Sequence, residues 1–277
     1  MPKHQLSKSE EEERFTMLID THTHIADKEF DSDRDAVIQR ALEADVKKMV
    51  LIGTGLASSQ RAVALAEQHP FLWATVGLHP HDAKEMTDDL LTAFDELSRH
   101  PKVVGWGEIG LDFYYEHSSR EEQRNAFIEQ IRLAKKRQLP LVIHTRDAWQ
   151  ETFELCESEK IKEHAEKFGA VLHCFTGDTE TALRGVELGF FISFSGIMTF
   201  PKAASVQEAA ATVGLNKIVI ETDAPYLSPQ GYRGKRNEPA YVRVIAEKLA
   251  ALRNLPVDVI AKTTTENAER LFKLPTL

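Results

Sequence analysis

Two histidines separated by one residue close the first apolar run of the chain, Asp20-Thr21-His22-Thr23-His24. Strand side chains alternate, so His22 and His24 point the same way, roughly 7 Å apart along the strand, an arrangement that suits a shared metal ion. A carboxylate follows in Gly105-Trp106-Gly107-Glu108-Ile109-Gly110, among residues too apolar to leave it unpaired, and a buried Glu needs a metal or another cation. Three further ligand-type residues end later apolar runs. They are His144 in Val142-Ile143-His144-Thr145-Arg146, His173 in Leu172-His173-Cys174-Phe175, and Asp223 in Glu221-Thr222-Asp223-Ala224-Pro225. Imidazole and carboxylate at the ends of separate strands point to a metal site assembled from the whole fold.

For these residues to meet, the runs that carry them must lie side by side and parallel. Eight β-rich runs are expected, at 17–20, 48–53, 72–77, 103–109, 141–145, 170–175, 190–193 and 217–221. Helical stretches at 33–44, 57–68, 120–138, 147–167, 179–188 and 201–213 connect them, and a Gly/Pro-rich loop at 228–239 leads to helices near 240–253 and 257–272. That alternation is the pattern of repeated βα units, and eight is the number that closes an α/β barrel of the TIM type, (β/α)8. An open doubly wound sheet competes, but no Gly-x-Gly-x-x-Gly turn follows an early strand. A chain of 277 residues, 42% hydrophobic, supplies one large core, so a single domain over 17–277 is expected.

Residues 1–16 read as a solvated tail or extension, because the acidic run Glu10 to Glu13 offers nothing to bury. It has no apolar core of a signal peptide, and no apolar stretch reaches the roughly 20 residues that span a bilayer. The two cysteines, Cys156 and Cys174, form no Cys-x-x-Cys pair, so a reducing, cytoplasmic setting is expected, with Cys174 facing the helices as core. The net charge of −9 excludes a protein that grips nucleic acid through a broad basic surface.

Taken together, His22-x-His24, Gly107 to Asp112, His144, His173-Cys174-Phe175 and Glu221 to Pro225 resemble the TatD deoxyribonucleases, within the amidohydrolase-like barrels. The resemblance runs from about Met17 to the C-terminus. It implies a metal-dependent deoxyribonuclease with two divalent ions, magnesium, manganese or zinc. One ion would take His22, His24, Glu108 and Asp223; the other would take Glu108, His144 and His173, with Glu108 bridging. Asp223 and Glu108 are then the catalytic residues, Asp223 accepting a proton from the attacking water. His79, in Gly77-Leu78-His79-Pro80-His81, resembles a position that contacts substrate phosphate. Arg146, Arg233, Lys235 and Arg236 are the expected cations around it, and Phe113, Tyr114, Tyr115 and Tyr226 are aromatic rings able to stack bases. Asp20 and Glu221, in phase with ligands, are expected to orient them.

Two divalent ions offset by Glu108 and Asp223 would leave the mouth at about +2, attractive to a phosphate within an acidic chain. The expected substrate is single-stranded DNA cut from its 3′ end, with no membrane partner. Removal of a misattached amino acid from tRNA, or hydrolysis of a cyclic amide or lactone, are the alternatives. Many binuclear enzymes acting on the latter bridge their metals with a modified lysine, whereas the fourth strand here offers Glu108.

Overall fold

The computed structural model describes residues 17–276, so the acidic stretch 1–16 lies outside the described residues. The first half of the chain runs β1 (Leu18–Thr23), α1 (Arg34–Glu43), β2 (Val46–Leu51), α2 (Leu56–Gln68), β3 (Leu72–Val76), α3 (Asp88–Leu97), β4 (Val103–Asp112), α4 (Arg120–Arg137) and β5 (Leu141–Arg146). The second half runs α5 (Trp149–Ser158), α6 (Ile161–Phe168), β6 (Ala170–Leu172), α7 (Thr179–Glu187), β7 (Phe191–Phe194), α8 (Ala204–Thr212), β8 (Ile218–Ile220), α9 (Val242–Arg253) and α10 (Val257–Phe272). The strands pair in sequence order from β1 to β8, all parallel, with helices between them, which is the expected (β/α)8 barrel. Among the described residues no helix is long and apolar enough to cross a membrane.

An inner apolar layer sets the phase of the site. Ile19, Val50, Trp73, Val142, Val171, Phe191 and Val219 pack together with Leu271 and Phe272 from the end of α10. Two residues further along, His144 follows Val142 within β5, while His173 follows Val171 and Glu221 follows Val219 just past the ends of β6 and β8. Polar ligand types therefore stand directly above an apolar floor. Two strands reach the same level by a change of phase. β1 shifts register between Asp20 and Thr23, ahead of the His24 ring, and β4 shifts between Trp106, which donates its indole N–H to Gln130 of α4, and Ile109.

The barrel is nearly closed, and side chains complete the seam between β8 and β1. The Thr21 hydroxyl donates to the Ile220 carbonyl at 2.9 Å, and Asp20 accepts from the Thr222 N–H at 2.9 Å and its hydroxyl at 2.5 Å. Backbone bonds from His24 to Ala224 and from Asp223 to His22 continue it to the mouth. Burial pushes the Asp20 carboxyl up to about 8, against the pull of its Thr222 donors.

Four elements differ from expectation. Helix α3 was not expected; Thr87 caps it by accepting from the Leu90 N–H, with Asp88 and Asp89 in the first turn. The stretch 147–167 forms two helices, because Lys160 takes a left-handed φ of +53° between them. β6 and β8 are shorter than expected, so His173 and Asp223 lie in the turns that follow them.

Close approach of β4 to β5 makes Gly110 irreplaceable, since its φ is +142° and an added Cβ would lie 2.0 Å from the His144 carbonyl oxygen. Gly110→Ala is expected to cost more than about 1 kcal/mol of stability, read as a lower urea midpoint. An unchanged midpoint would show that the two strands can part here without loss.

Candidate metal centre

The Glu108 carboxylate stands between two groups of donors and turns one oxygen to each. Its Oε2 lies 3.3 Å from His22 Nε2 and 3.9 Å from His24 Nε2. Its Oε1 lies 2.8 Å from both His144 Nδ1 and His173 Nε2, and 3.4 Å from His79 Nε2. Asp223 Oδ1 joins the first group, 3.3 Å from His24 Nε2 and 3.6 Å from His22 Nε2, while the two Nε2 atoms are 3.3 Å apart. A left-handed turn, φ +59°, aims Asp223 there from the end of β8.

These spacings fit an ion. Donors held at about 2.0–2.2 Å from a tetrahedral metal stand about 3.3–3.6 Å apart, close to the 3.3–3.9 Å found in the first group. Three sets, His22/His24/Glu108, His22/His173/Asp223 and His79/Glu108/His144, each gather ligand atoms within 4.8 Å of one another and could hold a metal. Mixed imidazole and carboxylate ligation suits zinc, manganese or iron more than magnesium.

Burial would raise the Glu108 carboxyl, but the surrounding histidines, His173 foremost, hold it well below the usual range. Burial also works against charge on the histidines. At His24, His144 and His173 the carboxylates outweigh it and the pKa rises, furthest at His173. At His22 and His79 burial prevails, and it takes His79 down to about 4. Asp223 follows Glu108: burial raises it, and His24 and His22 bring it below its ordinary value.

Around these donors lies a ring of positioning contacts. Glu221 Oε1 is 3.3 Å from His173 Nδ1 and accepts from the Cys174 N–H at 2.6 Å, and its other oxygen accepts from the Ser193 hydroxyl at 2.5 Å. Glu221 thus touches a donor imidazole, whereas Asp20 bonds to the backbone N–H of His22 at 3.3 Å and serves the barrel seam. Sequence reasoning missed Asp112 and His81. Asp112 Oδ2 lies 3.2 Å from His144 Nε2 and 3.0 Å from His81 Nε2, and these two imidazoles pull its carboxyl down against burial. The available signals were its position at the inward end of β4 and a second histidine two residues after His79.

Cys174 does not face the helices as core. β6 ends at Leu172 and Cys174 has φ +44°, so strand alternation no longer applies; the thiol lies 3.3 Å from the Ser195 hydroxyl and lines the mouth. The mouth is a cavity of about 970 Å³ whose rim includes Lys84, Tyr115, His117, Arg146 and Tyr226. Arg233, Lys235 and Arg236 are not brought to that lining. Arg236 instead pairs with Asp33 at 2.6 Å and donates to the Glu29 carbonyl, and Arg233 lies over the Phe200 ring. The loop after β8 folds outward against α1 and Phe200, so the rim cation missed by sequence reasoning is Lys84.

Known proteins resemble this chain along most of its length. The family described as TatD related DNase matches residues 19–273. An uncharacterized metal-dependent hydrolase, YabD of Bacillus subtilis, is 40% identical over 258 residues, covering 93% of this chain and 100% of that protein. A 3'-5' ssDNA/RNA exonuclease TatD of Escherichia fergusonii is 37% identical over 262 residues, covering 92% and 98%. The crystal structure of the TatD homolog YJJV of Escherichia coli superposes with a TM-score of 0.88 at 32% identity, covering 94% and 100%.

Any ion entering must displace the protons that the carboxylates hold on His24, His144 and His173. Zinc binding is therefore expected to weaken as pH falls and to release protons. Calorimetry in two buffers of different ionisation enthalpy measures that release, and none at the acidic end would contradict the raised values.

Proposed function

The chain belongs to the TatD-related DNase family of metal-dependent hydrolases, and from that premise we propose that it hydrolyses phosphodiester bonds at the 3′ end of single-stranded DNA, using two divalent ions. The observation that carries the proposal is the division of one carboxylate, Glu108, between two separate groups of histidines. A carboxylate shared in this way would suit two ions held close together, as in two-metal phosphodiesterases.

His22, His24, Asp223 and Glu108 Oε2 would hold one ion, and Glu108 Oε1, His144 and His173 the other. Bound there, the ions would supply Lewis acidity to the phosphate oxygens and activate a water. Asp223, which His24 and His22 hold below its ordinary value despite burial, would accept a proton from the attacking water. Glu221 and Asp112 each occupy the second nitrogen of a donor imidazole, on His173 and His144, and so fix which nitrogen faces Glu108.

His79 acts on the substrate. The His81 backbone N–H donates to His79 Nδ1 at 3.2 Å, and burial keeps the ring neutral, so the proton sits on Nε2. Nε2 therefore offers an N–H into the mouth beside Glu108, suited to a phosphate oxygen. Arg146 supplies a cation, and Tyr226, beside His24 with ring centroids 5.9 Å apart, supplies an aromatic wall. Arg233, Lys235 and Arg236 contribute little to this contact, because they lie off the lining. A relative's name includes RNA as well as DNA, and single-stranded DNA is the substrate we commit to.

Digestion of 5′-labelled single-stranded DNA with magnesium, manganese or zinc is expected to show stepwise shortening from the 3′ end. Glu108→Ala is expected to slow it by more than about 100-fold. Intact DNA under all three ions would turn the reading toward tRNA esters or cyclic amides.

A further inference from the structure

Beside the metal centre, the rim carries a cluster of aromatic rings that the proposed chemistry leaves unused. Tyr114 and Tyr115 are 58% and 50% exposed, an unusual amount of aromatic surface to leave open next to a polar site. Their loop is nonetheless held firmly. Asp112 Oδ1 accepts from both backbone N–H groups at 3.0 Å, the Lys84 ammonium donates to the His117 carbonyl at 3.3 Å, and the Ser118 hydroxyl donates to the His81 carbonyl at 2.8 Å. The rings are ordered too: Tyr115 and His117 are parallel to within 5°, centroids 5.5 Å apart, and the Arg146 guanidinium lies 3.9 Å from the Tyr114 centroid and 4.8 Å from that of Tyr115. Tyr115, His117, Arg146 and Lys84 all line the same cavity as Glu108.

We propose that Tyr115, His117, Arg146 and Lys84 form a subsite for the nucleotide on the 5′ side of the cleaved bond, its base stacked on the Tyr115–His117 pair and its phosphate met by Arg146 and Lys84. The subsite rests on the nuclease reading above. Among the described residues, Lys84 and Arg146 are the two Lys or Arg side chains on the lining, and neither makes an ion pair with a carboxylate. Arg236 and Arg40 nearby are by contrast neutralised by Asp33 and Glu238. Asp82 and Asp147 line the same wall, so its charge is close to balanced and stacking provides the hold. Every base offers a ring face, which makes such a subsite tolerant of sequence.

The test uses two single-stranded oligonucleotides that differ only at the penultimate 3′ residue, one normal and one abasic, with manganese and the full-length protein. The wild type is expected to show a KM about tenfold higher for the abasic strand. Tyr115→Ala is expected to erase that difference, His117→Ala to shrink it, and Tyr115→Phe, which keeps the ring, to retain it. Equal KM values for the wild type, or undiminished discrimination by both alanine variants, would overturn the subsite while leaving the nuclease reading intact. A wild type that degrades neither strand would overturn both.

Discussion

A carboxylate enclosed by imidazoles is the interaction on which this active centre depends. Glu108 is 4% exposed, and an unpaired carboxylate so placed would cost several kcal/mol. The protein meets that cost with charge: Glu108 and Asp223 stay ionised because histidines surround them, and His24, His144 and His173 hold protons because the carboxylates are there. Positive charge in the cavity is thus required whether protons or metal ions carry it. An incoming ion takes over that role as the protons leave, so metal binding and proton release are linked.

Holding that carboxylate in place falls to the barrel. Inward-facing valines put His144 and His173 at one level, and register shifts in β1 and β4 bring residues of the opposite phase to join them. The seam between β8 and β1 is the weakest part of the sheet in backbone bonding, yet it joins the elements bearing His22, His24 and Asp223. Asp20 strengthens it with buried hydrogen bonds from Thr222, so the separation of three donors depends on a carboxylate that touches none of their rings.

Much of this was legible in the sequence, and the reasons it was are physical. Eight β-rich runs separated by helical stretches leave few folds open, and ligand-type residues at the ends of five of them, the first, fourth, fifth, sixth and eighth, pick out the donors around Glu108. Reading failed where phase ends. Cys174 sits past the last residue of β6 in a left-handed turn, so alternation assigned it to the wrong side. Arg236 and its neighbours belong to a loop whose path is set by Asp33 on the far side of the chain, a contact that no local pattern announces. Asp112 was hidden for another reason: its chemistry consists of what it touches, and those partners, His81 and His144, lie on other strands or loops.

Asp112 also links the metal centre to the rim of the mouth. One of its oxygens faces His144 at the centre and His81 beside it, and the other accepts the backbone N–H groups of Tyr114 and Tyr115 at the rim. A single buried carboxylate therefore sets both a donor imidazole and the aromatic wall above it. With a formal charge of −9, long-range attraction works against nucleic acid, and affinity has to come from contacts that act within a few ångströms. Cations in the centre and ring faces at the rim are both of that kind. On the proposed reading, stacking on Tyr115 needs a base with a free ring face, which a single-stranded end offers and a duplex does not.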